Sequence, residues 1–174
     1  MLHLSGKNCF LRALEPEDLQ FLYEVENDEG IWEISGTLTP YSKVVLKKYL
    51  SNAHRDIFEV KQLRLCICGS DEARLGLVDL FDFDPKNNRA GLGIVISNAE
   101  NRNKGIGEEA VRLVLAYVFS TLGLHQVYVN ILEENSASRH LFEKLGFEKI
   151  GVKKDWVRWG NHYKNEIIYQ KIQP

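Results

Sequence analysis

The spacing of apolar and polar positions divides the first third of the chain into one strand and two helices. Asn8–Leu14 is typical of a strand and stops at Glu15-Pro16. Proline suits the first turn of a helix, and apolar residues then recur three and four positions apart. Ser42 is expected to cap a second helix, after a loop over 28–40 that is rich in Gly, Ser and Thr.

Three strands joined by turns are predicted next. Leu63–Cys68 and Leu75–Phe81 flank Gly69-Ser-Asp-Glu, a composition that is typical of a hairpin. Arg89–Ile96 follows a second turn, Asp84-Pro-Lys-Asn-Asn. The middle of the chain is therefore expected to consist of strands.

The clearest helix of the sequence follows two glycines. Its apolar residues fall on one stripe, formed by Ile106, Ala110, Val111, Val114, Leu115, Val118, Phe119 and Leu122. Gly123 is expected to end it. Gln126–Leu132 is a nearly continuous apolar strand, as expected beneath helices on both faces. Asn135 is expected to cap a shorter helix, and two final strands are predicted near 148–156 and 163–171.

Composition and charge narrow the class of protein. The 174 residues, 44% of them apolar, suit a single domain over 1–174 with a substantial core. The net charge is −2, so no overall field would attract nucleic acid or an anionic membrane. We find no signal-like start and no run of about 20 apolar residues, and therefore expect a cytoplasmic protein.

Cysteine usage agrees with that expectation. Cys66 and Cys68 alternate in an apolar strand and should share one buried face, and Cys9 lies in the first strand. No Cys/His cluster of zinc-binding spacing appears, so no metal is expected. No neighbouring histidine marks any of the three as a nucleophile.

The polar loop that leads from Ile94–Ile96 into the long helix is predicted to bind an anion. The first N–H groups of a helix have no intrahelical partner and carry the positive end of its dipole. Gly105 and Gly107 remove side chains that would block a phosphate, and Arg102 adds a planar guanidinium suited to a diphosphate.

Two glycines at this spacing also occur in three different kinds of structure. A tight turn alone would account for the two glycines but not for the basic residues and the amphipathic helix that follow. A phosphate-binding P-loop would need Lys and then Ser or Thr after the last glycine, where the chain has Glu108 and Glu109. A dinucleotide fingerprint matches Gly105, Gly107 and Ala110, with Glu133 as the acidic residue, but a long segment separates these glycines from the strand.

The order β-α-α-β-β-β-α-β-α-β-β carries two motifs at a characteristic separation. Arg102-x-x-Gly-x-Gly opens the central helix, and Asn135–Phe147 encloses the next one. With both motifs, the chain from Lys7 to Ile172 resembles the GNAT superfamily of acyl-CoA N-acyltransferases, especially the branch of spermidine and ribosomal-protein N-terminal acetyltransferases. The resemblance implies an α/β fold with a mixed sheet of about seven strands, about four flanking helices, and a splay between strands 4 and 5.

The resemblance also implies acetyl-CoA as cosubstrate. The glycine loop would hold the pyrophosphate and the backbone of 94–96 would pair with the pantetheine arm, while Asn130 and Asn135 would lie at the mouth of the splay. The residues implied in cofactor binding are Ile94, Val95, Ile96, Arg102, Asn103, Lys104, Gly105, Ile106, Gly107, Asn130, Asn135 and Phe142.

The implied chemistry is direct attack of a primary amine on the thioester. Many members donate a proton to the departing sulfur from a tyrosine, where this chain has Phe142; Ser138 matches a serine used near the sulfur in one branch, although its hydroxyl could instead bond its own helix backbone. Spermidine acetyltransferases have a glutamate where Gly91 stands. Asp79 is then the candidate for a base and for attracting the amine.

The acceptor is predicted less sharply. Trp32, Glu33 and Tyr41 lie in the loop that would face the thioester, with Asp79 across from them, although core packing is the common fate of such aromatics. A polyamine, another small amine or a peptide N-terminus is the expected partner, and a homo-oligomer is possible. The competing hypothesis is a non-catalytic acyl-CoA sensor, which could tolerate the loss of both proton-transfer groups.

Overall fold

A computed structural model describes residues 4–174. Within that range the chain forms seven strands and six α-helices, where about four helices were expected. The elements are β1 (Cys9–Ala13), α1 (Leu19–Glu26, after a 3-10 turn over Pro16–Asp18), α2 (Glu29–Ser35), α3 (Lys43–Ser51), α4 (Ile57–Val60), β2 (Leu63–Gly69), β3 (Arg74–Asp84), β4 (Arg89–Ile96), α5 (Ile106–Ser120, after a 3-10 turn over Ala99–Asn101), β5 (Gln126–Leu132), α6 (Ser136–Lys144), β6 (Glu148–Trp159) and β7 (His162–Ile172).

The strands form one mixed sheet in the order β1-β2-β3-β4-β5-β7-β6. All neighbours are antiparallel except β4 and β5, which are parallel. That parallel pair spans only three residue pairs and ends at Gly91 and Tyr128, although both strands continue beyond it. The predicted sheet and its splay between strands 4 and 5 are therefore confirmed.

Each face of the sheet carries its own core. On one face, α5 and α6 cover the inward residues of the central strands, including Val78, Leu92 and Val127. On the other, α1, α2 and α3 pack a smaller cluster formed by Leu22, Val25, Ile31, Leu46 and Leu77. Burial of large apolar side chains of this kind stabilises the fold by about 1.5–3 kcal/mol each.

The prediction of one continuous loop over 28–40 was wrong, because α2 forms there. The Asp28 carboxylate accepts a hydrogen bond from the Gly30 N–H (2.9 Å) and caps the helix, and Gly36 ends it with φ 71°. Ile31 is buried between α1 and the sheet. Glycines and serines predicted a loop, but this burial makes a short helix stable.

Two predicted helix caps are confirmed by hydrogen bonds. The Ser42 hydroxyl accepts from the Val45 N–H (3.2 Å), and the Asn135 side-chain oxygen accepts from the Ser138 N–H (3.1 Å). The predicted burial of the thiols is confirmed as well, and burial raises the pKa of both Cys9 and Cys66 to about 12. These thiols are protonated at neutral pH.

A fully buried carboxylate joins β1, α1 and β3. Asp18 accepts two hydrogen bonds from Arg12 (2.8 and 2.9 Å), one from Arg74 and one from the Glu15 N–H. Burial alone would raise the pKa of Asp18, but the two guanidinium groups outweigh it and hold that pKa well below its usual range. The network is structural and lies away from the splay.

No helix among the described residues has the length and apolar content that crossing a membrane requires.

Candidate active site

The glycine loop places unused helix donors at the end of β4. Gly105 caps α5 with φ 78°, and the first intrahelical bond runs from the Glu109 N–H to the Gly105 carbonyl (3.0 Å). The N–H groups of 106–108 precede that bond and have no partner within the helix. The junction therefore has the donors and the dipole that bind an anion.

The two glycines serve different purposes. Gly105 adopts a left-handed conformation, in which a non-glycine residue would be strained. Gly107 is helical, and an added Cβ would lie 3.8 Å from Ile94 Cδ1 and 3.9 Å from both Ile96 Cγ1 and Leu141 Cδ2, which are ordinary contacts. The fold itself would accept a methyl group at Gly107. The lack of a side chain there instead keeps the groove beside β4 open.

The two glutamates after Gly107 do not block this groove. Lys144 (2.6 Å) and Arg112 (2.9 Å) both donate to Glu108, and Glu109 accepts from the N–H groups of Lys7 and Asn8 ahead of β1. Their charges are thus neutralised or directed away from the loop.

The basic part of the loop is exposed. The Arg102 guanidinium lies 3.3 Å from the Ile96 carbonyl, at the end of β4, and Asn103 and Lys104 are open to solvent. Asn103 adopts a left-handed conformation (φ 59°) that turns the chain towards Gly105. The structure therefore brings the predicted pyrophosphate residues together.

A cleft of about 420 Å³ opens where β4 and β5 part. Its wall on the α5 and α6 side is apolar and includes Leu92, Ile94, Val129 and Ile131. Gly93 and Val95 alternate with these β4 residues and line the opposite side. The cleft thus passes through the sheet and connects its two faces.

Helix α6 places polar side chains beside the apolar wall of the cleft. Ser138 and Asn135 line the cleft, and among residues 4–174 the Ser138 hydroxyl has no hydrogen-bond partner, its own helix backbone included. Phe142 also lines the cleft but is 2% exposed and packs edge-to-face on Phe147, with ring centroids 5.0 Å apart. Phe142 therefore serves as a packing residue, and Ser138 is left as a hydroxyl that faces the cleft.

The opposite side of the cleft carries an ion-pair network that sequence reasoning missed. Arg64 donates from Nε to Asp79 Oδ1 (2.6 Å), from Nη2 to Asp79 Oδ2 (3.2 Å) and from Nη1 to Glu26. Burial would lower the pKa of Arg64, but Asp79 and Glu26 raise it overall, so the guanidinium stays charged. A charged residue at an inward position of the apolar strand β2 was the available signal.

Three further ion pairs, made by two lysines, lie near the cleft mouth. Lys164 on β7 donates to Glu33 on α2 and to Glu134 after β5. Lys153 on β6 pairs with Glu166 (2.5 Å) and donates to Asn130 (3.0 Å). Asn130 and Asn135 are both among the residues that line the cleft.

The predicted acceptor residues separate into two groups. Glu33 and Asp79 line the cleft. Trp32 and Tyr41 are not among its lining residues: the Trp32 indole donates to the Glu26 carbonyl (2.8 Å), and Tyr41 is exposed. This hydrogen bond links α2 to α1, and neither Trp32 nor Tyr41 contributes an aromatic wall to the cleft.

The Phe81 ring occupies the space beside Gly91, the position at which spermidine acetyltransferases were expected to have a glutamate. A Cβ on Gly91 would lie 2.2 Å from Cε2 of Phe81. The Phe81 ring lines the cleft and packs edge-to-face on Tyr128, with ring centroids 5.9 Å apart. A side chain at position 91 therefore requires the Phe81 ring to move.

Within residues 4–174, no group of three His, Cys, Asp or Glu side chains is arranged to hold a metal ion.

The splayed sheet, the donor-rich helix start and the cleft between them are features of an N-acyltransferase. Residues 8–148 match the family described as an acetyltransferase (GNAT) domain. The chain belongs to this family and is an N-acetyltransferase.

Several similar proteins are spermidine acetyltransferases. The spermidine N(1)-acetyltransferase of Escherichia coli (strain K12) is 30% identical over 94% of this chain and 85% of its own length. The crystal structure of spermidine N-acetyltransferase from Vibrio cholerae in complex with CoA and spermine aligns with a TM-score of 0.86, 25% identity and 95% coverage of both chains. A dodecameric structure of the Vibrio cholerae enzyme gives a TM-score of 0.79 and 27% identity, covering 95% of this chain and 94% of that one.

Proposed function

We propose that the protein transfers the acetyl group of acetyl-CoA to a primary amine of a small molecule. The observation that carries this proposal is the cleft through the splayed sheet, which has an anion-binding helix start near one end and an ion-pair network at the other. Such a passage allows two substrates to meet from opposite faces.

The residues around β4 fit coenzyme A. A diphosphate suits the free N–H groups of 106–108 and the Arg102 guanidinium. A pantetheine amide could pair with the β4 backbone beyond Gly91, where the strand has left β5. When bound, acetyl-CoA supplies the thioester carbon that the amine attacks.

The acceptor must arrive as a neutral amine. An alkylamine has a pKa of about 10, so only about one molecule in a thousand is neutral at pH 7. We assign the attraction of the ammonium, and acceptance of its proton directly or through water, to Asp79 together with Glu26. Arg64 holds the Asp79 carboxylate in place.

Ser138 is the proposed donor for the leaving sulfur. A thiol such as that of cysteine has a pKa of about 8.5, so the thiolate can leave unprotonated. The Ser138 hydroxyl would stabilise it by a hydrogen bond while keeping its own proton. An acetyl-enzyme on cysteine has no support, since all three thiols are buried and the pKa of Cys9 and Cys66 is raised.

We further propose a cytoplasmic homo-oligomer. Buried, unbridged cysteines suit a reducing compartment, and a similar Vibrio cholerae enzyme is dodecameric. Exposed apolar residues on β6 and β7, including Ile150, Trp156 and Ile172, could be covered by another copy of the chain.

A thiol-release assay tests the catalytic proposal. Acetyl-CoA is incubated with the enzyme and a panel of monoamines, polyamines, amino acids and peptides, and CoA release is followed with a thiol reagent. We expect amine-dependent release and an acetylated product by mass spectrometry. CoA binding without release on any amine would support the acyl-CoA sensor instead.

A further inference from the structure

Every carboxylate that lines the cleft already has a cationic partner. The four are Glu26, Glu33, Asp79 and Glu166. Their partners are three cations of the same chain, Arg64, Lys153 and Lys164. A count of acidic residues therefore overstates the negative charge that a substrate would meet.

The network on the β3 side keeps one unmatched charge. Arg64 is shared between Glu26 and Asp79, so this group of three has a net charge of −1 inside the cleft. One ammonium group bound there would restore neutrality. A second would be in excess.

The other two carboxylates hold ammonium groups already. Lys164 is shared between Glu33 and Glu134, so this group also has a net charge of −1, but Glu134 is 60% exposed and does not line the cleft. Inside the cleft, Glu33 therefore faces an ammonium group already. Glu134 and Glu33 raise the pKa of Lys164, which keeps the lysine charged. Lys153 matches Glu166 with one charge each. The chain's own lysines thus stand where further ammonium groups of a polycation would bind.

The rest of the lining on this side is uncharged and combines apolar side chains with the polar Ser35, Gln62 and Asn130. Ile31 and Ile34 of α2, Phe81 of β3 and Leu132 of β5 all line the cleft. The apolar side chains gain free energy from contact with hydrocarbon, and the polar ones are neutral, so an ammonium in the middle of a chain would find no counter-charge there.

We infer that the preferred acceptor is a primary monoamine with an apolar body, rather than a polyamine. The inference rests on the proposed function and specifies its acceptor class. Its single ammonium is bound by Glu26 and Asp79, and its hydrocarbon part contacts Ile31, Ile34 and Phe81. A second ammonium would either displace a lysine from its ion pair or lie near that lysine and be repelled.

Hexylamine and hexamethylenediamine form a matched pair for the test. They have the same carbon chain and differ by one ammonium group, and spermidine extends the series. We expect kcat/KM with acetyl-CoA to be about tenfold higher for hexylamine than for the diamine, despite the statistical advantage of two reactive ends. Spermidine should be poorer than hexylamine as well.

Substitution of the two lysines should change this preference. Lys164→Met and Lys153→Met each release a carboxylate, so the KM for spermidine should fall by about tenfold while that for hexylamine changes little. Lys154→Met is the control, because Lys154 is exposed and neighbours Lys153 in sequence but forms no ion pair within the described residues. It should leave the preference of the enzyme unchanged.

The same amines are added to CoA-saturated protein, and the shift in melting temperature is measured, which requires no turnover. A larger kcat/KM or a larger thermal shift for the diamine or spermidine with the wild-type enzyme would overturn the inference while leaving the acetyltransferase proposal intact. The absence of a thermal shift with every amine would also overturn it. Absence of turnover combined with a hexylamine-selective shift would contradict the proposed function alone.

Discussion

Substitution of Gly107 separates the requirements of the fold from those of the cosubstrate. A methyl group at this position makes contacts of 3.8–3.9 Å with Ile94, Ile96 and Leu141, so Gly107→Ala introduces no clash. Alanine in a helix is also more stable than glycine by about 0.5–1 kcal/mol. Gly107→Val adds two further methyl groups, which we expect to obstruct the groove where we propose that coenzyme A binds.

The expected shift in melting temperature on binding CoA follows from mass action. At a CoA concentration 100 times its dissociation constant, a ligand that binds only the folded state adds about 2.7 kcal/mol of stability. For a domain of this length that raises the melting temperature by about 5–10 °C. Gly107→Val should lose this shift and keep a melting temperature close to wild type without CoA.

Differential scanning fluorimetry with and without CoA measures both quantities. Gly105→Ala is the matched control, because Gly105 has φ 78° and its added methyl meets nothing within 4 Å. Backbone strain should cost that variant about 1–2 kcal/mol and lower its melting temperature without CoA. If Gly107→Val retains the full CoA shift, the loop does not hold the cosubstrate and the proposed site is wrong.

Three further predictions concern single side chains. Ser138→Ala should lower turnover by about 10-fold to 100-fold with little change in CoA affinity, and equal turnover would remove the hydroxyl from the mechanism. Asp79→Asn keeps the volume beside Arg64 but removes the charge, so kcat/KM should fall and the pH profile should change; a wild-type profile would mean that another group is the base. Asp18→Ala should cost about 2–3 kcal/mol of unfolding free energy at pH 7 in urea titrations, because it leaves Arg12 without its partner. Since the pKa of Asp18 is held below its usual value, this stabilisation is fully present above about pH 4 and is lost as the pH falls, so a wild-type advantage that stays constant down to pH 2 would contradict it.

Local signals in the sequence determined much of the scaffold. The caps at Ser42 and Asn135 and the strand Gln126–Leu132 all depend on neighbouring residues or on a short periodic pattern. The stripe of α5 likewise follows from spacing within one helix. Such features can be predicted from the sequence because their hydrogen bonds and buried faces involve residues that are close in the chain.

The charged side of the cleft was decided only by tertiary structure. Lys164 and Glu33 form an ion pair although 131 positions separate them in the sequence. Arg64 of β2 binds Glu26 of α1 and Asp79 of β3. A charge in the sequence does not reveal which partner will neutralise it. The sequence therefore predicted Glu33 and Asp79 near the acceptor, but only the packing of α1, α2 and β7 against the splayed sheet shows how little of their charge remains for a substrate.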